Sequence, residues 1–88
     1  MGVDEHGLTR VDRLILTSIA HAGGTAVGLK TLAAAVGEDE RTLEDVYEPH
    51  LLRGGLVVKT PQGRRLTPRG QDLSGVRPPA SDQGALPL

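Results

Sequence analysis

The spacing of apolar residues changes once along this chain, at Gly54-Gly55, and that change constrains the fold more than any other feature. Before it, apolar side chains recur at the spacing of a helix face. After it, Leu56-Val57-Val58-Lys59-Thr60 and Arg64-Arg65-Leu66-Thr67 flank Pro61-Gln62-Gly63, the layout of two strands joined by a turn. A helical segment followed by a hairpin in 88 residues leaves room for one small domain and not for two. Its core must be aliphatic, because 13 Leu, 8 Val and 2 Ile stand beside a single aromatic residue, Tyr47.

The helical part divides into three. Thr9 followed by Asp12 fits a capping box, and Val11, Leu14, Ile15, Ile19 and Ala22 carry a helix from about Arg10 to Ala22, stopped by Gly23-Gly24. Thr25-Ala26-Val27 is a short extended piece that needs another strand beside it. Leu29, Leu32, Ala33 and Val36 predict a second helix, with Gly37 as its left-handed C-cap. A third helix begins at Glu38-Asp39-Glu40, with Leu43, Val46, Tyr47 and Leu51 as its stripe and Pro49 as a kink or a new start. Arg69 to Leu73 reads as one added helical turn. Residues 1–7 read as a flexible N-terminal segment, 8–73 as the folded domain, and 74–88 as a disordered tail containing Pro78, Pro79 and Pro87. Helix, short strand, helix, helix and hairpin make an α+β fold of the winged-helix type, in which the hairpin pairs with the short strand.

Net charge is -1, so any attraction to nucleic acid depends on where the charges sit. Residues 38–48 hold six acids against one base, Arg41, whereas residues 50–71 hold no acid and five cations: Arg53, Lys59, Arg64, Arg65 and Arg69. The third helix occupies the place of a recognition helix, yet Glu40, Glu44 and Glu48 at i, i+4 spacing would place a carboxylate stripe against phosphates. The hairpin is the alternative contact. Lys59, Thr60, Gln62, Arg64 and Arg65 combine cations with hydrogen-bonding groups, and Gly63 would let backbone approach a phosphate.

Other chemistries find little support. Gly23 to Thr31 approaches a phosphate-binding loop, but Leu29 stands where its lysine belongs. His6, His21 and His50 have no ligand spacing, there is no cysteine, and Ser18, Ser74 and Ser81 lack partners at motif spacing for nucleophilic catalysis. No metal or cofactor is expected in this chain. No apolar run reaches the roughly 18 residues of a membrane span, and no secretory signal is evident, so a cytoplasmic protein is expected.

The segments "GLTRVDRLIL", "AVGLKTLAAAVGED", "TLEDVYEPHLLRGGLV" and "KTPQGRRLTP" together resemble the C-terminal domain of the RuvB family, the motor of Holliday-junction branch migration. The resemblance runs from about Gly7 to Pro68 and is most specific at Val46-Tyr47-Glu48-Pro49 and at the wing Thr60-Pro61-x-Gly63-Arg64. It implies a winged helix that binds DNA in recombination and repair, attached behind ATPase domains that would hold ATP and magnesium. The implied partners are DNA, the ATPase domains of a hexamer, and the junction-binding RuvA subunit. At matched positions it implies Arg64 as the wing arginine, presented by the turn residues Thr60, Pro61 and Gly63; with the basic stretch read above, the expected DNA-binding set is Arg64, Arg65, Lys59, Gln62, Gly63, Thr60 and Arg69. Arg64, expected to be exposed, matches the family's wing arginine and would be the contact whose loss weakens binding most. Lys59 and Gln62 stand where arginine is common in the family, Arg65 where an apolar residue is common, and His50 replaces an aromatic ring. A free-standing transcriptional regulator and a protein-interaction module are the rival readings.

Overall fold

A computed structural model describes residues 7–23 and 25–76. The N-terminal segment expected to be flexible falls outside this range except for Gly7, as does residue 77 onward of the expected tail.

Helix α1 (Arg10–Ala20) begins in the predicted capping box. The Asp12 amide donates to Thr9 Oγ1 at 3.1 Å, and the Thr9 amide donates to Asp12 Oδ2 at 3.0 Å. The helix stops two residues earlier than expected, because the amides of Ala22 and Gly23 fold back onto the carbonyls of Ile19 and Ala20 in tighter i→i+3 bonds. Helix α2 (Leu29–Val36) ends on Gly37 at φ 75°, the left-handed cap the sequence indicates.

The third helical region is one rod in three pieces: α3 (Glu40–Thr42), a π-turn (Leu43–Tyr47) and α4 (Glu48–Arg53). Asp39 caps its start by accepting from the Thr42 amide at 3.2 Å. Pro49 explains the π-turn, since it has no N–H for the carbonyl four residues back and its ring collides with that carbonyl. The chain widens by one residue instead, and the Glu48 amide donates to the Leu43 carbonyl. Pro49 thus changes the register of a helix that continues through it.

Strands β1 (Val57–Thr60) and β2 (Gly63–Leu66) pair antiparallel, with Val57 opposite Leu66, Val58 opposite Arg65, Lys59 opposite Arg64 and Thr60 opposite Gly63. The turn is Pro61-Gln62 alone, and Gly63 belongs to the strand. The extended piece before α2 joins the sheet as expected, through a single bridge. The Val27 amide donates to the Arg64 carbonyl, and the Arg64 amide to the Val27 carbonyl, each at 2.8 Å. Gly63, at φ 137°, makes this approach possible, since a Cβ there would lie 2.5 Å from the Val27 carbonyl oxygen.

Helix α5 (Pro68–Ser74) is longer than the single turn expected. Thr67 caps it by accepting from the Gly70 amide at 3.0 Å. Ser74 is part of this helix and buried, so the folded domain continues past residue 73. The Arg13 guanidinium donates to the Leu73 carbonyl at 2.7 Å and ties α5 back to α1. The aliphatic core lies between α1, α2, the third rod and the sheet. Leu16, Leu32, Leu43 and Leu51 are essentially fully buried, each stabilising the fold by about 1.5 to 3 kcal/mol, and Tyr47 packs half-buried at the margin. His50 is exposed, so the ring it lacks is not missing from the core.

Candidate nucleic-acid interface

The seven wing and helix residues singled out in the sequence separate into three groups. Strand alternation and cross-strand register put Lys59 and Arg64 on one face of the hairpin and Arg65, opposite Val58, on the other. The first face lies against α4. There the Arg64 guanidinium donates from Nε to Glu48 Oε2 and from Nη2 to Glu48 Oε1, the latter at 3.0 Å. Lys59 Nζ lies 3.8 Å from the same carboxylate. The side chains of Arg64 and Glu48 are only 12% and 7% exposed, whereas that of Lys59 is 51% exposed. Hydrogen bonding to Glu48 raises the Arg64 pKa above its already high ordinary value, partial burial opposes the rise, and the charges of Glu48 and Glu44 add to it.

Two expectations are corrected by this geometry. Arg64 is not an exposed hairpin cation, because its guanidinium is taken up bidentately by a buried carboxylate. Glu48 does not share the solvated face of Glu40 and Glu44. The extra residue of the π-turn rotates everything after it by roughly 100° about the axis, which turns Glu48 inward while Glu40 and Glu44 stay exposed. Sequence reasoning missed Glu48 as a wing partner. The signal that could have found it is Pro49 within a helical stripe, which forces a change of register.

Thr60 and Gly63 serve the hairpin itself. Thr60 Oγ1 donates to the Gly63 carbonyl at 2.8 Å and accepts from the Gln62 amide at 3.2 Å, closing the turn. Gly63 is buried, and its missing side chain accommodates the close approach of Val27. Gln62, Arg65 and Arg69 are exposed. Among the described residues, neither Arg65 nor Arg69 forms an ion pair. Arg65 also borders a cleft of about 50 Å³ with Ile19, Thr25, Leu66 and Gln71, far smaller than a small-molecule pocket. The exposed carboxylates Glu40, Glu44 and Asp45 occupy the recognition-helix position, with Arg41 loosely paired to Asp45 at 3.9 Å.

Residues 5–74 match the family model of the RuvB C-terminal winged helix domain. The chain belongs to this family. It is 46% identical over 87 residues to a Holliday junction branch migration complex subunit RuvB from Acidothermus cellulolyticus, covering 98% of this chain and 24% of that protein. The solved Thermotoga maritima RuvB Holliday junction branch migration motor superposes with a TM-score of 0.78 at 40% identity, over 89% of this chain and 26% of that one. The chain therefore spans about a quarter of the length of the RuvB proteins it matches. A MarR family protein of Mycobacterium tuberculosis, Rv2887, shares the fold at a TM-score of 0.67 and 23% identity. Among the described residues of this RuvB-type domain, no helix is long and apolar enough to cross a membrane, and no cluster of three or more His, Cys, Asp or Glu has metal-binding geometry.

Proposed function

We propose that this chain is the DNA-gripping module of a RuvB-type branch-migration motor, holding the sugar-phosphate backbone of a junction arm with its wing. ATPase domains, with ATP and magnesium bound there, would drive the movement, and a RuvA-type subunit would present the junction, in the cytoplasm. The observation that carries this reading is the two exposed cations Arg65 and Arg69, which form no ion pair among the described residues, in a stretch, 50–71, that holds no acid. Gln62 at the tip adds a hydrogen-bonding group beside them, and Lys59 a partly neutralised charge. Such contacts grip phosphate without reading bases, as a motor that moves along any sequence requires.

Titration of a four-way junction and of unrelated duplexes by fluorescence anisotropy, over a range of salt from low to moderate, tests the reading. Arg65→Ala should weaken binding to all sequences alike and flatten the salt slope by about 0.9, one phosphate contact's share. Unchanged affinity and slope in the Arg65→Ala/Arg69→Ala double variant, with loss of binding in Thr42→Ala, would instead place the contact on the third helical rod.

A further inference from the structure

We infer that Glu48 sets the position of the wing through Arg64, which makes Arg64 a positioning residue rather than a contact for DNA; the inference rests on the reading that the wing grips DNA. Glu48 lies at the first position of α4, turned inward by the π-turn, beneath the cross-strand pair of Lys59 and Arg64. Both carboxylate oxygens are occupied by the Arg64 guanidinium, and Lys59 approaches the second of these. A planar guanidinium held at both donors has one orientation, so the pair fixes an angle as well as a distance. The Arg64 backbone is held independently by its two bonds to Val27. One residue thus carries four hydrogen bonds to two different segments, two through its backbone and two through its guanidinium, and its side chain is only 12% exposed. A two-residue hairpin without the clamp would be anchored at its base and at a single bridge, leaving the tip with Gln62 free to swing.

The sign of one substitution separates the two roles of Arg64. Glu48→Gln removes a negative charge and releases Arg64, so a DNA-contacting Arg64 would bind phosphate more tightly in that variant. A positioning Arg64 gives the opposite result, with junction affinity at low salt falling roughly tenfold, the weight of one charge-assisted hydrogen bond. The double variant Glu48→Gln/Arg64→Gln should then be no weaker than either single one. Hydrogen exchange at the Val27 and Arg64 amides, read without DNA, should accelerate in Glu48→Gln, because the bridge they form loses its side-chain support. Tighter or unchanged binding, or unchanged exchange, overturns the inference. If Glu48→Gln lacks the native spectrum, Arg64→Lys decides: it keeps the charge and loses the fork, so a loss of affinity of about tenfold supports positioning and an unchanged affinity refutes it. Arg65→Ala keeps the two ideas distinguishable. Its failure to weaken binding sinks the wing reading, whereas the exchange measurement tests the clamp regardless.

Discussion

Replacing Gly70 with Ala opposes two effects whose balance the structure decides. Gly70 lies in α5 with ordinary helical geometry, so helix propensity alone predicts a stabilisation of about 1 kcal/mol. A Cβ at that position, however, would lie 2.1 Å from the Leu56 carbonyl oxygen, 3.0 Å from its carbon and 3.2 Å from Leu66 Cδ2. The obstacle is backbone and cannot rotate away. That same carbonyl accepts from the Thr67 amide at 3.1 Å and from Thr67 Oγ1 at 3.2 Å, so moving α5 outward stretches both bonds and loosens the helix cap. Overpacking costs about 1 to 3 kcal/mol and each weakened bond about 0.5 to 1.5, which leaves a net destabilisation of about 2 kcal/mol after the propensity gain. For a domain this small, that corresponds to a melting temperature lower by about 8 to 16 °C, read by far-UV circular dichroism. A melting temperature equal to or above that of the parent chain would refute the claim that the α5 and Leu56 backbones are in direct contact.

Gly63→Ala should destabilise by about 2 to 4 kcal/mol, from positive-φ strain and loss of the Val27 bridge, and should speed exchange of the Val27 amide. Leu51→Ala, at the centre of the core, should cost about 2 to 5 kcal/mol in denaturant unfolding; a smaller loss means the site collapses around the void. Glu44→Gln should leave the fold intact and DNA affinity equal or higher, since like charges at i, i+4 cost about 0.2 to 0.5 kcal/mol per pair; a fall in affinity would place that face on the DNA.

What was legible in the sequence is what local chemistry determines. The Thr9–Asp12 box spans three residues, the Gly37 cap needs a left-handed backbone at a known offset, and the hairpin follows from alternation about a Pro-containing turn, so each could be read from its own neighbourhood. Even the bridge to Val27 followed, because an extended piece that short cannot stand alone. The contact between Glu48 and Arg64 spans 16 residues and depends on a change of helix register, and neither fact is written in the spacing of charges. Periodicity at i, i+4 assumes an unbroken α-helix. It therefore assigned Glu48 to the outer face along with Glu40 and Glu44, and left Arg64 without its partner.

The π-turn has a consequence for how charge is distributed over the wing. On the face toward α4, Glu48 takes up Arg64 and partly neutralises the half-exposed Lys59, so two of the hairpin's three cations share a carboxylate with the protein. Arg65, on the other face, has no carboxylate partner among the described residues, and the exposed acids of α3 and the π-turn belong to a different element. Attraction to phosphate is therefore weakest where the hairpin is held and strongest where it is free, although the sequence places Arg64 and Arg65 side by side. Reversing that division requires only that Glu48 lose its charge or return to the outer face. Because Pro49 causes the π-turn, Pro49→Ala should let the rod revert toward a regular helix, rotate Glu48 outward and free Arg64. Its effect on the wing should then resemble that of Glu48→Gln, with faster exchange at the Val27 and Arg64 amides although no charge has changed. Exchange like that of the parent chain would show that the inward turn of Glu48 is held by its ion pair and not by the proline.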